Sequence, residues 1–485
     1  MTKYNKKALI VLGSLVLLMT STFFLFPINV YSKPKSSQVS MLTIYVTDQQ
    51  MPGVENVTDA FLASPLGSGV TAVEVISTGG TANEQLTYLQ TLMTGGTATA
   101  AVIGLDVVWT AVFASNGWII NLDSYLETDE MDDYVAGLVD AGTWNGHLYA
   151  YPYFNNLGIL FYRKDLLDLH MPGWTEADFD TWEGLKDTAN YILNNQSGLL
   201  TAADAELVGY VGQLDAYEGG VVNFFEIIGS NGVLDAVTSA GDINVNTQDV
   251  KDAMTFFKAL VPPQYTGVQG NDYIIPRYGL VHDEGSSVGK WLANESIFMR
   301  QWPFAYADSE NNNMDFGLAP LPHFAGATGY RTSAVGGAIL AVPTVTTGTA
   351  REAAVNLTKF LGDDLAQRAE LTEVSNFPAL SSVYASPPVG QEWIMNFTDQ
   401  LPLTLSRPVH EDYPLISDVI ADYFSDLMSC QKSVDVALAE MERDLNDIVG
   451  EPVPEPFIPG YGIAILVLTT AFSIGLIVVL KRRHR

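Results

Sequence analysis

Two kinds of apolar pattern alternate along the first third of the chain, one typical of strands and the other typical of helices. Residues 41–46, 70–76 and 98–105 are apolar runs rich in β-branched, aromatic or small side chains, which predicts buried strands. Residues 83–93 carry apolar side chains on one helical face, and residues 107–115 are also predicted to be helical. Strand, helix, strand, helix indicates a parallel sheet and an α/β fold.

The middle of the chain is mainly helical. A β-rich run at 157–162 follows a change of character near residue 150, which marks a candidate crossover between two lobes. Three helices are then predicted: 179–193, 219–228 and 247–260. Three more strands are predicted: 296–304, 316–320 and 335–342. A helix with a capping box of Thr349 and Glu352 follows, and 412–449 is predicted to form one or two terminal helices.

The N-terminal segment has the pattern of an export signal. Lys3, Lys6 and Lys7 precede a long uncharged apolar run. Residues 1–32 are therefore predicted to be a signal peptide or an uncleaved N-terminal anchor, with a polar linker at 33–41.

The C-terminal segment has the pattern of a membrane anchor. Residues 463–480 contain no charge, and a basic tail at 481–485 follows. A transmembrane helix is therefore predicted at 460–480, after a proline-rich spacer at 451–459. Positively charged flanks stay in the cytoplasm, so the tail is predicted to be cytoplasmic and the folded part extracellular.

Charge and cysteine content exclude several classes of function. The chain has 55 acidic against 24 basic side chains, a formal net charge of −31, and nine of the basic ones lie in the terminal segments. Such acidity excludes nucleic acid as a partner. Cys430 is the only cysteine, so no disulfide is possible within the chain. The six histidines form no metal-binding or catalytic motif, and we expect no cofactor and no metal.

Ten short blocks match a known family in order. They are LDVVW at 105–109, NGW at 116–118, LYAYP at 148–152, FYRKDLL at 161–167, YEG at 217–219, RQWPF at 300–304, APLP at 319–322, GG at 336–337, RP at 407–408 and YP at 413–414. Together they resemble the extracellular solute-binding proteins of sugar ABC importers, most similar to the trehalose- and maltose-binding branch. The similarity covers about residues 42–449.

The resemblance implies an architecture and a set of partners. It implies a two-lobed periplasmic-binding-protein-like fold of type II, with a sugar in the cleft between the lobes. Residues 42–150 and 315–362 would form one lobe, and residues 151–314 and 363–450 the other. The partners would be a saccharide, the permease subunits of the importer, and the membrane through the C-terminal helix. No enzymatic activity is implied.

Three residues match ligand-binding positions of the family. A sugar needs polar groups for its hydroxyls and aromatic rings for its C–H faces. Asp106 stands where a predicted strand ends, and it matches the hydroxyl-binding aspartate; the alternative is a helix cap. Trp302 matches the aromatic ring on which a sugar stacks; the alternative is a core position. Arg407 matches a cleft arginine; the alternative is a surface salt bridge.

The chain departs from the nearest branch at four positions. Asn156 stands in place of an aspartate, Phe154 in place of a tyrosine, Gln85 in place of an arginine and Ala338 in place of a second tryptophan. The resemblance therefore implies a ligand other than trehalose or maltose. Other predicted ligand contacts in matching blocks are Tyr217, Gly336, Gly337 and Tyr413.

Two alternative functions remain open. The segment 285–289 fits the G-x-S-x-G pattern with Ser287 as the nucleophile of a membrane-anchored hydrolase. The residues before it do not form a buried strand, and Ser286 or Ser287 is instead predicted to be a helix N-cap. A surface receptor that senses a solute would use the same fold as an importer subunit, and the sequence does not separate the two.

Overall fold

The described part of the chain forms two main β-sheets covered by helices. The computed structural model describes residues 38–195, 207–238, 241–263, 273–327 and 333–449. The predicted signal peptide or anchor, most of the linker, the spacer, the transmembrane helix and the basic tail lie outside these residues. Among the described residues, no helix has the length and apolar character needed to cross a membrane.

The strands of the described residues confirm the predicted order and add five strands: three of two residues, one of four residues and one of eight residues. They are β1 (Leu42–Val46), β2 (Val73–Ser77), β3 (Ala101–Asp106), β4 (Thr143–Trp144), β5 (His147–Leu148), β6 (Ala150–Leu157), β7 (Ile159–Arg163), β8 (Val208–Val211), β9 (Ser296–Gln301), β10 (Phe316–Pro320), β11 (Val335–Ala341) and β12 (Phe377–Pro378). Of the additions, β8 was missed because only four buried residues of this strand stand among helices.

The helices of the described residues agree with the main predicted runs within a few residues. They are α1 (Met51–Ala63), α2 (Ala82–Gly95), α3 (Thr110–Ser115), α4 (Ala136–Gly142), α5 (Lys164–His170), α6 (Trp182–Asn194), α7 (Glu218–Gly229), α8 (Gln248–Ala259), α9 (Glu284–Leu292), α10 (Ala305–Asn311), α11 (Gly348–Leu361), α12 (Asp364–Val374), α13 (Ser381–Ala385), α14 (Tyr413–Met428) and α15 (Val434–Val449). Short 3₁₀ helices lie at Asp123–Tyr125, Glu176–Asp178, Arg277–Val281 and Glu392–Leu403.

The larger sheet has six strands in the order β12-β6-β11-β3-β1-β2. β1 pairs in parallel with β2 and β3, which confirms the parallel arrangement predicted from the alternating pattern. β11 runs antiparallel to both β3 and β6. The carboxyl end of β3 therefore lies opposite the start of β11, with Ala338 beside Asp106.

The smaller sheet has four strands in the order β10-β7-β9-β8. β7 runs antiparallel to β10 and β9, and β8 runs parallel to β9. Buried apolar side chains form two clusters, and the smaller sheet contributes to both: Phe161 and Met299 belong to the cluster of the larger sheet, and Leu160 and Phe298 to the other. Phe61, Trp109 and Phe113 are buried in the core of the larger sheet, whereas Trp182 and Phe224 are buried in the core beside the smaller one.

Strand pairing assigns three segments differently from the predicted lobes; one of them is β12, which pairs with β6 in the larger sheet. The segment 151–157 lies in the larger sheet as part of β6, and β10 pairs with β7 in the smaller sheet. Apolar side chains of α12 and the segment after it, such as Leu371 and Phe397, belong to the core of the larger sheet. These pairings join residues far apart in sequence, which local patterns do not report. The lobe boundaries themselves stay a prediction.

Helix ends follow local chemistry, with one correction. Thr81 accepts a hydrogen bond from the Glu84 N–H in a capping box at the start of α2, and Gly96 ends this helix in the left-handed conformation at φ 62°. The predicted capping box of Thr349 and Glu352 is wrong. α11 begins one residue earlier, and Thr347 is its N-cap residue, without a side-chain cap.

Candidate functional site

A cavity of about 120 Å³ lies where the two sheets face each other. On one side are the carboxyl end of β3, the middle of β6 and β11, and the loops that precede α1 and α2. On the other side are the first turns of α7 and α9 and the segment after β9. The parallel strands β1, β2 and β3 present their carboxyl ends here, as expected for a ligand site in an open α/β sheet.

Five of the ten predicted site residues line this cavity: Gln85, Asp106, Phe154, Trp302 and Gly337. The other five do not line it: Asn156, Tyr217, Gly336, Arg407 and Tyr413. Most of these five contact a residue that does line it. Their roles as direct ligand contacts stay predictions. Sequence reasoning did not select several polar residues of the wall, among them Glu218, Glu284 and Asn376.

Asp106 and Glu218 are held by one buried guanidinium. Nη2 of Arg407 donates to Oδ1 of Asp106 at 2.9 Å, and Nη1 of Arg407 donates to Oε1 of Glu218. The hydroxyl of Tyr413 donates to the same oxygen of Glu218 at 2.6 Å. Burial raises the pKa of Glu218, and the charge of Arg407 opposes this shift. Arg407 thus lies behind the wall and fixes two carboxylates from opposite sides of the cavity.

Asp106 makes one local hydrogen bond and one long-range ion pair. Its Oδ1 accepts a hydrogen bond from the Val108 N–H at 3.3 Å, two residues further on, while its carboxylate pairs with Arg407. Its side chain keeps 18% of its surface exposed, on the cavity side. Asp106 does not cap α3, because Trp109 is the residue before the first turn.

Glu284 is the first residue of α9 and faces the cavity. It accepts a hydrogen bond from the hydroxyl of Tyr217 at 2.7 Å and a longer one from Nε1 of Trp302 at 3.4 Å. Burial raises the pKa of Glu284. Glu284 belongs to an acidic pair with Asp283 at the start of a helix, a pattern that does not by itself indicate a ligand site.

Trp302 lines the cavity and also packs against the buried Arg300. The guanidinium carbon of Arg300 lies 4.0 Å from the centroid of the Trp302 ring, a cation–π contact. A Cβ atom on Gly336 would lie 2.6 Å from Cζ3 of Trp302, so only glycine leaves room for the ring. Trp302, Phe154 and Phe304 supply the aromatic part of the wall.

Gly336→Ala is expected to displace the Trp302 ring and to weaken ligand binding. The added methyl group would overlap the ring, and neither β11 nor Arg300 can move away easily because both are buried. We expect the Kd to rise at least about tenfold, which is about 1.4 kcal/mol. Gly289→Ala is the matched control, since nothing lies within 4 Å of that position. Unchanged affinity in Gly336→Ala, measured by calorimetry, would contradict this role of the ring.

Ser287 does not have the surroundings of a nucleophile. It is buried inside α9, and its hydroxyl donates to the carbonyl oxygen of Asp283 at 2.7 Å. It accepts hydrogen bonds from the side-chain amides of Gln213 and Gln301. The predicted N-cap role of Ser286 or Ser287 is wrong as well. Asp283 caps α9, and Ser286 is the third helical residue, which closes the capping box.

The geometry defines a class of protein. Two α/β units, each with its own sheet, face each other across a cavity with polar edges and aromatic walls. Groups of at least three His, Cys, Asp or Glu side chains that could hold a metal ion are absent from the described residues. This is the arrangement of a two-lobed ligand-binding protein.

Comparison with known proteins identifies the family. Residues 58–396 match the bacterial extracellular solute-binding protein family, and the chain belongs to it. The chain is 26% identical over 387 residues to a "Probable ABC transporter-binding protein" of Deinococcus radiodurans, covering 78% of this chain and 87% of that one. This membership confirms the predicted family and the expectation that the chain is a binding protein and not an enzyme.

Solved structures share the fold. The maltose-bound MalE3 protein of Thermotoga maritima superposes with a TM-score of 0.74 at 24% identity, covering 84% of this chain and 100% of that one. The GacH receptor of Streptomyces glaucescens, solved with acarbose, gives a TM-score of 0.70 at 18% identity, covering 86% and 100%. The likeness confirms the two-lobed periplasmic-binding-protein-like fold predicted from the sequence.

Proposed function

We propose that the chain is the extracytoplasmic substrate-binding protein of an ABC importer and that it captures a saccharide or polyol in the cavity. The main support for this proposal is the set of residues that line the cavity. Three carboxylates and the amides of Gln49, Gln50, Gln85 and Asn376 lie around three aromatic rings. Carboxylates and amides suit hydroxyl groups, and aromatic rings suit the C–H faces of a sugar.

Further support comes from the comparisons. The Deinococcus relative bears the name of an ABC transporter-binding protein, and two structural neighbours were solved with maltose and with acarbose. In the proposed mechanism, a ligand that contacts both units favours their closed arrangement by the difference in its contacts. The closed form then docks on the permease. The predicted helix at 460–480 would tether the protein to the outer face of the membrane.

Contacts across the cavity suit such a closed arrangement. The Glu218 N–H at the start of α7 donates to Oδ1 of Asn83 in α2 at 3.1 Å. The ion pair of Arg407 with Asp106 adds a second link, from the segment before α14 to the end of β3. Solute import and solute sensing would share this site, and nothing in the described residues favours the sensing alternative.

Saccharide binding is the first expected result. We would screen glucose, galactose, maltose, cellobiose and ribitol against the purified full-length chain by thermal shift, followed by calorimetry. A bound ligand raises the melting temperature by mass action. We expect Trp302→Ala to weaken binding at least about tenfold, which is about 1.4 kcal/mol. Trp144→Ala is the matched control, because Trp144 lies in the β4–β5 hairpin outside the cavity wall.

Each outcome of the screen bears on the proposal. Micromolar binding, about −8 kcal/mol, that is lost in Trp302→Ala and kept in Trp144→Ala would support both function and site. Binding that both variants keep would place the ligand elsewhere. Binding of amino acids or peptides with no binding of any sugar or polyol would contradict the proposed ligand class.

A further inference from the structure

Asn376 reaches the cavity because of an unusual backbone turn. It follows α12, which ends at Ser375 in the left-handed conformation at φ 60°. Residues other than glycine adopt this conformation at a cost, and such strain is often kept at functional sites. The turn directs Asn376 to the cavity wall and lets the next two residues, β12, pair with β6 opposite Asn155 and Phe154.

A directional chain of hydrogen bonds fixes the side-chain amide of Asn376. Its Nδ2 donates to Oε1 of Glu370 at 2.7 Å, and its Oδ1 accepts from Nδ2 of Asn156 at 3.0 Å. Oδ1 of Asn156 in turn accepts from the Phe377 N–H at 3.3 Å. A backbone N–H can only donate, so the Phe377 end of the chain imposes this orientation on both amides, and the Glu370 oxygen at the other end accepts accordingly.

Glu370 is built into the protein at a cost. It is 1% exposed and has no cationic partner among the described residues, and its Oε2 accepts a hydrogen bond from the Tyr153 hydroxyl at 2.8 Å. A Cβ atom on Gly53 would lie 1.8 Å from that oxygen, so α1 carries a glycine where the carboxyl group lies. A buried carboxyl group without a counter-charge is destabilising. The hydrogen bond that Glu370 accepts from Asn376, a residue of the cavity wall, is a reason to keep this buried carboxyl group.

The amide of Asn376 has one N–H and one oxygen lone pair left for a ligand. One N–H is used by Glu370 and one lone pair by Asn156. A sugar hydroxyl both donates and accepts, so it can engage the two remaining groups together. If the amide turned over, its donor and acceptor positions would be exchanged.

We propose that Asn376 is a specificity-determining ligand contact of this cavity and that Glu370, through a hydrogen bond, is its positioning residue. Asn156 acts from the other side of the same amide. The proposal rests on the proposed function, because it assigns the partner of Asn376 to the hydroxyl groups of a saccharide or polyol.

The test is a double-mutant cycle on the full-length chain, with whichever of maltose, cellobiose, glucose, galactose or ribitol binds tightest to the wild type. Glu370→Met keeps the length of the side chain and removes the acceptor. We expect it to raise the Kd about tenfold, and to change the Kd less than about twofold when Asn376→Ala is already present. Glu370→Gln restores an acceptor and should stay within about threefold of the wild type.

A purely structural role of Glu370 predicts a different pattern. Equal weakening by Glu370→Met in the wild-type and Asn376→Ala backgrounds would overturn the positioning role. Unchanged binding in Asn376→Ala would overturn the contact itself. If Glu370→Met does not fold, Asn156→Ala replaces it in the cycle, with the same expected loss of effect in the Asn376→Ala background. Absence of binding by the wild type would overturn the proposed function and this inference together.

Discussion

Replacing Arg300 with methionine is expected to lower the free energy of unfolding by about 3–5 kcal/mol. Nε and Nη2 of Arg300 donate to the two carboxylate oxygens of Glu226 at 2.8 and 2.7 Å, and both side chains are almost fully buried. Without Arg300, the Glu226 carboxylate would stay buried without its counter-charge. The loss of one partner of a buried ion pair is costly for this reason, although the pair itself adds little net stability.

The Arg300–Glu226 ion pair lies where the two sheets are connected, so its loss is expected to affect both sheets. A Cβ atom on Gly158, between β6 and β7, would lie 2.3 Å from Oε1 of Glu226 and 2.6 Å from Nη2 of Arg300. The Ala334 N–H, just before β11, donates to Oε1 of Glu226 at 3.2 Å. Two segments that connect the sheets therefore contact this one ion pair.

Equilibrium unfolding in urea, followed by tryptophan fluorescence, would measure the change. The control is the double variant Arg300→Met, Glu226→Met, in which no charge is left buried. We expect it to recover most of the lost stability, because an apolar pair of similar volume often replaces a buried ion pair at little cost. Loss below about 1 kcal/mol in Arg300→Met would show that water reaches the pair and screens it.

Glu370→Gln is expected to stabilise the protein at alkaline pH. Burial raises the pKa of Glu370 to about 7, and the hydrogen bonds from Asn376 and Tyr153 oppose the shift only in part. The usual value is 4.5, so between pH 4.5 and 7 the folded state binds the proton more tightly than the unfolded state does. This contribution is therefore present at low pH and is lost as the pH rises to about 7. The difference corresponds to about 3 kcal/mol.

The measurement compares variant and wild type at several pH values, because other carboxylates also titrate. We expect the stability difference in favour of Glu370→Gln to grow by about 3 kcal/mol between pH 4.5 and pH 8. Glu373→Gln, on the exposed side of the same helix, should show no such growth. A constant difference for Glu370→Gln across this range would mean that Glu370 has no raised pKa in the folded protein.

The strand and helix order was readable from the sequence because local patterns carry it. β1, α2 and β3 have buried apolar side chains at the spacing their conformations require. β10 was predicted with its exact bounds, yet its sheet was not, because its partner β7 lies about 150 residues earlier in the chain. Pairing of this kind depends on the register of hydrogen bonds between strands, and no local pattern records it.

In the candidate site, too, some features could be predicted from local sequence and others depend on contacts between distant residues. Asp106 and Trp302 were identified from blocks that resemble a family, and both line the cavity. Arg407 was identified as well, but only the fold shows that it lies behind Asp106 and Glu218. Asn376 gave no signal, since an asparagine after a helix is usually a simple helix end. Its function depends on Glu370 and Asn156, which reach it from another turn of the chain and from another strand.

The sequence by itself determined the α/β class, the family and the identity of five of the residues that line the cavity. These follow from the spacing of apolar side chains and from short contiguous blocks, which are properties of neighbouring residues. The tertiary structure alone decided which strands share a sheet, which side chains reach the cavity, and which buried groups hold them. Those outcomes depend on hydrogen bonds, ion pairs and burial between residues distant in sequence, and only the folded chain brings these residues within reach of each other.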